Sequence, residues 1–139
     1  MGTEGVIENV MPFRFEWKDE SKRAICYIAE GTWNWRDYHQ VVRAAAFTLL
    51  DAQPGVHSVI DLRSSTRTGL PAGAVAHVRS FGRITQVNLS GRAAVIGVDS
   101  AHWAELGLSA DGSLITADGM VRFVESEAEL ERLLNRWAG

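Results

Sequence analysis

The feature that most constrains this chain is an alternation of strand-like and helix-like segments after an opening pair of strands. Residues 13–17 alternate apolar and polar side chains, and residues 24–29 form a nearly continuous apolar run, so the two predict a β-hairpin across the charged turn at 18–23. Further strands are predicted at 56–62, 93–98 and 120–124. Strands that alternate with helices favour a mostly parallel sheet covered by helices.

Four helices are predicted between and after these strands. Asn34 and Asp37 form a capping-box pattern at the start of the first helix, which Pro54-Gly55 must end. Pro71 suits the first turn of the second helix, and Asp99-Ser100 can cap a third that runs to Leu106 or Leu108. Ser126 with Glu129 is a clear capping box for the last helix.

The sequence therefore predicts one α/β domain over residues 1–139, with residues 1–11 as a flexible N-terminus. We expect a mixed, mostly parallel five-stranded sheet with an N-terminal hairpin and about four helices, in the order β-β-α-β-α-β-α-β-α. The segment at 109–119 stays open, because residues 113–117 between two Asp-Gly pairs suit a short helix, a strand or a loop equally well.

Composition and charge exclude several classes of protein. Seventeen acidic against fourteen basic residues give a net charge of −3, which provides no basic surface for nucleic acid. One cysteine, Cys26, allows no internal disulfide. We expect a cytoplasmic location, because neither a secretory leader nor an apolar run of membrane-spanning length is visible.

Catalytic and cofactor motifs are not found in the sequence. The histidines do not have the spacing of zinc ligands, and neither a Gly-x-Ser-x-Gly elbow nor a glycine-rich phosphate loop occurs. Cys26 lies within an apolar strand, where a thiol is more often packed and inert. We predict no catalytic residues, no metal and no cofactor, while paired carboxylates that meet only in three dimensions stay open.

Four segments resemble the STAS-like (SpoIIAA-like) superfamily, in particular its small uncharacterised bacterial members. They are Trp35-Arg36-Asp37-Tyr38-His39, Val59-Ile60-Asp61-Leu62-Arg63, Leu70-Pro71-Ala72-Gly73 and Val121-Arg122-Phe123-Val124-Glu125-Ser126. The likeness extends from about Phe13 to Trp137. It implies a STAS-like fold and a regulatory or interaction role, carried over by analogy.

One departure from the family bears on regulation. Anti-anti-sigma factors of this type carry a phosphorylatable serine at the start of the second helix, whereas residues 69–73 here contain no hydroxyl. Just upstream, hydroxyl side chains alternate with Arg63 and Arg67, which would stabilise a phosphate by charge-assisted hydrogen bonds. A displaced phosphorylation site and an ordinary polar loop both fit, and the polar loop is favoured.

The predicted site lies at the carboxyl end of the third strand, where ligands gather in open parallel sheets. Trp33 is off the helical pattern, which makes it the best tryptophan for an exposed contact. The candidate interaction or ligand residues are Asp61, Arg63, Ser64, Ser65, Thr66, Arg67, Thr68 and Trp33. An alternative for Asp61 is a purely local role in anchoring the loop.

Three classes of function follow, in order. The first is a non-enzymatic interaction or regulatory domain that binds an unknown protein partner or a second copy of itself, with the 63–69 loop and the start of the second helix as its contact surface. The alternative is a carrier of a small apolar or lipid-like ligand between helices and sheet, with the lipid-transfer CRAL-TRIO domains as a comparison. An enzyme comes third.

Overall fold

The computed structural model describes residues 12–65 and 70–138 of the chain. The predicted hairpin is present, with Phe13 opposite Ala29 and Trp17 opposite Ile25 in antiparallel register. The strands are β1 Phe13–Trp17, β2 Ala24–Gly31, β3 Val56–Ser65, β4 Leu89–Ile96, β5 Ser113–Thr116 and β6 Gly119–Val124. The α-helices in these ranges are α1 Trp35–Ala44, α2 Ala46–Leu50, α3 Ala74–Ser80 and α4 Glu127–Ala138, and two 3₁₀ turns lie at Ser100–His102 and Ala104–Leu106.

The strands form one mixed sheet in the order β1-β2-β3-β4-β6-β5. Strands β2, β3, β4 and β6 are parallel to one another, and the edge strands β1 and β5 are antiparallel to their neighbours. The alternating pattern predicted this parallel centre. The predicted number of five strands is wrong, because the described residues form six.

The additional strand is β5, in the segment whose structure the sequence left open. It pairs with β6 from Ser113 opposite Arg122 to Thr116 opposite Gly119. Its turn is held by Thr116 Oγ1, which accepts hydrogen bonds from the backbone N–H groups of Asp118 and Gly119 at 3.2 Å each. A strand of four residues is too short to show a clear alternation, so pairing with β6 decides its structure.

Strand β3 runs further than its apolar pattern. Arg63, Ser64 and Ser65 were assigned to a loop, but Ser64 and Ser65 pair with Glu30 and Gly31 of β2, beyond a register shift in β2. Because β2 itself continues to Gly31, its backbone offers partners past the end of the apolar run. The predicted loop residues Thr66, Arg67, Thr68 and Gly69 lie outside the described residues.

The first predicted helix is divided at Ala45 into α1 and α2. The Val42 carbonyl accepts a 2.6 Å hydrogen bond from Gln86 Nε2, in the position where a continuous helix would use the Ala46 N–H. The Asn34–Asp37 capping box predicted for this helix is present in both directions, at 3.0 and 2.9 Å.

Helix α3 is shorter than its sequence pattern and begins after Pro71. Gly73 has φ +85°, a left-handed conformation that cannot lie inside a right-handed helix. The Ala72 carbonyl accepts a 2.9 Å hydrogen bond from Trp35 Nε1. The helix is further held by His77, whose ring stacks on Trp35 with centroids 4.1 Å apart. The third predicted helix is likewise reduced to the two 3₁₀ turns.

Two apolar cores lie on opposite faces of the sheet. The first face is covered by α1, α2, α3 and the 3₁₀ turns, and its core includes Tyr27, Phe123 and Leu49. The second face is covered by α4, through the predicted inner-face residues Leu130, Leu133 and Leu134 with Trp137 packed beside them. The last helix therefore packs as its periodicity predicts.

Three glycines bring the turn after α3 against the sheet. A Cβ on Gly119 would overlap the carbonyl oxygens of both Gly82 and Gly91, and a Cβ on Gly82 would lie 2.8 Å from the Met120 carbonyl oxygen. The close approach of these backbones requires glycine. Within residues 12–65 and 70–138, no helix has the length and apolar character needed to cross a membrane.

Candidate functional site

The end of β3, where the site was predicted, is the start of a chain of charged side chains. Arg63 Nε and Nη2 donate to the two carboxylate oxygens of Asp61 at 3.0 and 2.7 Å, and Arg63 Nη1 lies 3.1 Å from Glu127 Oε1. Lys18 Nζ bridges Glu127 at 2.9 Å and Glu131 at 2.8 Å. Arg23 Nη2 lies 2.8 Å from Glu131 Oε1 and is the last member of the series. We call these six residues the charge chain.

The charge chain shifts the pKa values of Asp61, Lys18 and Glu127 toward their charged forms. Burial alone would raise the pKa of Asp61, but hydrogen bonds and charge from Arg63 outweigh it and hold this pKa below its ordinary value. Burial alone would lower the pKa of Lys18, but Glu131 and Glu127 raise it on balance. The hydrogen bond from Lys18 lowers the pKa of Glu127. Each charge is therefore matched by a neighbour, an arrangement suited to holding α4 on the sheet.

The remaining predicted site residues are only partly brought together. Ser65 Oγ accepts a 3.0 Å hydrogen bond from Trp33 Nε1, while Ser64 is exposed. Thr66, Arg67 and Thr68 lie outside the described residues, so the hypothesis of a phosphorylation site remains a prediction. The carboxylate of Asp61 accepts hydrogen bonds from the side chain and the backbone N–H of Arg63, and both roles considered for Asp61 remain predictions.

The prediction that Trp33 is an exposed contact is wrong, because only 3% of its surface is accessible. Its ring packs edge-on against Phe13 and Trp35, with centroids 5.0 and 5.1 Å apart. Trp33 lies just before Asn34, the cap of α1, and therefore outside the helical repeat. The helical pattern could not show that the chain turns its ring inward onto β1.

A groove of about 300 Å³ lies beside the start of α3, at the carboxyl edge of the parallel strands. Apolar side chains form most of its surface, and the 49% exposure of Val75 leaves that side chain open to solvent. The charged or titratable members of its lining are His102 and Glu105, whose Nδ1 and Oε1 atoms are 3.3 Å apart. We call it the edge groove, lined by Leu70, Pro71, Ala72, Gly73, Ala74, Val75, Val98, His102, Glu105 and Leu106.

A smaller cavity, of about 140 Å³, lies between the sheet and α1 on the first face. Strands β2, β3 and β4 form its floor, and α1 and the segment after α3 form its walls. We call it the tyrosine cavity, lined by Tyr27, Tyr38, His39, Val42, Ser58, Ser80, Phe81, Arg83, Thr85 and Leu89. Tyr27 and Tyr38 come from different elements and meet edge-to-face, with ring centroids 6.5 Å apart.

A wider concavity of about 540 Å³ lies at the opposite edge of the sheet, where Arg23, Arg92 and His57 already have partners. Arg23 is bound to Glu131, and the Arg92 guanidinium lies 5.9 Å from the centre of the Trp137 ring. His57 Nδ1 is 2.7 Å from Ser90 Oγ. Burial, with the charges of Arg92 and Arg23, lowers the pKa of His57. The contacts of these three side chains therefore stabilise the fold around the concavity, and they are not left open for a ligand.

Groups able to hold a metal ion do not cluster in the described ranges. No three His, Cys, Asp or Glu side chains among these residues could hold a metal ion. Burial raises the pKa of Cys26 to about 12, so the thiol is protonated at neutral pH. The edge groove and the tyrosine cavity are two of the concave surfaces that the geometry offers for binding, and sequence reasoning identified only the neighbourhood of the edge groove.

Comparison with known proteins gives one structural likeness. No family model and no curated protein matches the chain. The chain is similar to the crystal structure of an uncharacterised protein of the DUF3478 family, with a SpoIIAA-like fold, from Shewanella loihica PV-4. The two share 19% identity over 88% of this chain and 91% of that one, with a TM-score of 0.49.

Proposed function

We propose that this protein is a non-enzymatic interaction or regulatory domain that binds a protein partner through the edge groove. A cytoplasmic setting is part of the proposal. The observation that carries it is the groove itself, an apolar concavity of about 300 Å³ at the start of α3, where the sequence placed the contact surface. Exposed apolar surface with a polar rim is typical of interaction sites.

The lining of the groove defines the chemistry of the partner. Val75 is open to solvent, while Val98 and Leu106 in the same lining are buried, so the groove suits an inserted aliphatic side chain. Glu105 is the one carboxylate in the lining, and its side chain is 74% exposed. A partner segment that inserts a Leu, Ile or Met and carries a nearby Lys or Arg would complement both features.

The charge chain supports a structural role for Asp61 and Arg63 and leaves partner binding to the edge groove. Its members hold the β1–β2 turn, the end of β3 and α4 together through mutual contacts, so Asp61 and Arg63 are engaged within the domain. Their side chains contribute to the shape of the carboxyl edge rather than to a contact with the partner. The proposed binding surface is therefore centred on the start of α3, which the sequence named together with the 63–69 loop.

The test is site-specific crosslinking in the cells that normally express the protein. A photoreactive side chain at position 75 should capture one partner, and Val75→Asp should abolish its stoichiometric recovery. Ala76→Asp is the matched control, because Ala76 is exposed on the same helix but does not line the groove. If position 75 captures nothing, or if both aspartate variants retain or lose the partner equally, the proposal is wrong.

A further inference from the structure

We propose that the tyrosine cavity is a binding site for a small aromatic carboxylate of about the size of benzoate. This site lies on the first face of the sheet, beneath α1, and is separate from the edge groove in its lining residues. The two proposals can therefore succeed or fail independently.

The volume of the cavity limits the ligand to one ring. A cavity of about 150 Å³ in a protein core can admit benzene, and the tyrosine cavity has about 140 Å³. Pockets for larger molecules generally occupy several hundred cubic ångströms. The volume therefore matches a single ring, which is much smaller than the lipid-like ligand considered from the sequence.

The two tyrosine hydroxyls can each donate a hydrogen bond to a ligand in the cavity. Tyr27 and Tyr38 are only 2% and 8% exposed, and among the described residues neither hydroxyl has a hydrogen-bond partner. The buried side-chain atoms without a partner or accessible surface are Arg23 Nε and Gln86 Oε1. Both tyrosine hydroxyls therefore keep some accessible surface, and because both residues line the cavity, we infer that this surface opens into it.

These hydroxyls act as donors at neutral pH. Burial raises the pKa of Tyr27, and burial together with Tyr27 raises the pKa of Tyr38. Two protonated phenols facing one small space are suited to the oxygens of an anion, because hydrogen bonds to a charged acceptor are the stronger kind.

The lining of the cavity places no carboxylate against a bound anion. It contains no aspartate or glutamate and includes Arg83, which makes a 3.4 Å contact with Asp118 on its exposed side. His39 completes the wall, and burial, His77 and Arg43 lower its pKa. Val42, Phe81 and Leu89 give the apolar surface against which a ring can pack.

The test uses NMR titration of the intact protein with benzoate, and with toluene as an apolar ring of similar shape. The chain has two tyrosines, both in the cavity, so labelled tyrosine signals report from the proposed site alone. We expect benzoate to shift both ring signals saturably. Tyr27→Phe and Tyr38→Phe should each weaken benzoate about tenfold and change toluene binding less than about twofold.

Three results would overturn the proposal. The first is no saturable shift with benzoate, which would mean that water alone serves the hydroxyls. The second is an equal loss of both probes in the phenylalanine variants, and the third is tighter binding of toluene than of benzoate, either of which would indicate an apolar site. Thermal unfolding of each variant without ligand verifies that the fold is retained, so that weaker binding reports on the site.

Discussion

On the face covered by α4, charged side chains are paired into a continuous chain, whereas on the face covered by α1 and α3 two tyrosine hydroxyls have no partner among the described residues. The polar groups on the α4 face contact one another and join distant parts of the chain. The hydroxyls on the other face border a cavity. The difference indicates that polar groups stabilise the fold on one face and are available to a ligand on the other.

The largest expected effect comes from weakening the α4 face. Leu134 is fully buried, and α4 is the helix whose residues fill the core on that face. Leu134→Ala should lower the free energy of unfolding by about 3 kcal/mol, because it leaves a cavity as well as losing apolar burial. Urea denaturation measures the loss. A cost below about 1 kcal/mol would contradict the assignment of α4 as the essential cover of this face.

The next effect separates the charge chain from ordinary surface charge. Lys18→Met should lower the free energy of unfolding by about 1 kcal/mol at low salt, because Glu127 and Glu131 lose their shared cation. The loss should shrink at high salt. Lys22→Met is the matched control, since Lys22 is an exposed lysine on the same turn without an ion pair to the described residues. Equal losses of unfolding free energy in both variants would show that the charge chain stabilises the fold no more than ordinary surface charge does.

A smaller effect is expected on acidification. Because Arg63 and Lys18 lower the pKa values of Asp61 and Glu127, these carboxylates contribute stability above their ordinary pKa of about 4, and that stability is lost as the pH falls through the lowered values. The wild-type free energy of unfolding should therefore decline from pH 5 to pH 3. Asp61→Asn should decline less steeply, and parallel curves would argue against a contribution from Asp61.

The smallest effect is expected where a hydroxyl has no partner to lose. Tyr27→Phe should change the free energy of unfolding by less than about 0.5 kcal/mol, since no protein hydrogen bond is broken. Ser90→Ala is the contrast, because it removes the partner of the buried His57 and should cost about 1–2 kcal/mol. Chemical denaturation of both variants compares them. A large loss in Tyr27→Phe would mean that its hydroxyl is part of the protein's own hydrogen bonding.

Local signals in the sequence predicted the parts of the fold that depend on neighbouring residues. The hairpin, the capping box of Asn34 and Asp37, and the inner face of α4 follow from patterns within one segment. The division of α1 from α2 did not, because it depends on a hydrogen bond from Gln86, more than forty residues away. Strand β5 likewise exists through pairing with β6.

The candidate site was predictable in position but not in content. The rule that ligands gather at the carboxyl ends of parallel strands led to the neighbourhood of the edge groove. The ion pair between Arg63 and Glu127 could not be predicted from the sequence, since Glu127 belongs to the last helix. The tyrosine cavity was invisible for a related reason: Tyr27 and Tyr38 each look like ordinary core residues, and only the structure shows that their hydroxyls lack partners.

The contact among Gly82, Gly91 and Gly119 restricts how such a cavity can change during evolution. It joins three backbones without using any side chain, next to the segment that carries Arg83 and Thr85. A larger residue at Gly82 or Gly119 would push that segment away from the sheet. Relatives that recognise a ligand of another size would therefore keep these glycines and vary side chains such as Val42, Ser58 and Leu89, so that specificity diverges while the backbone frame stays constant.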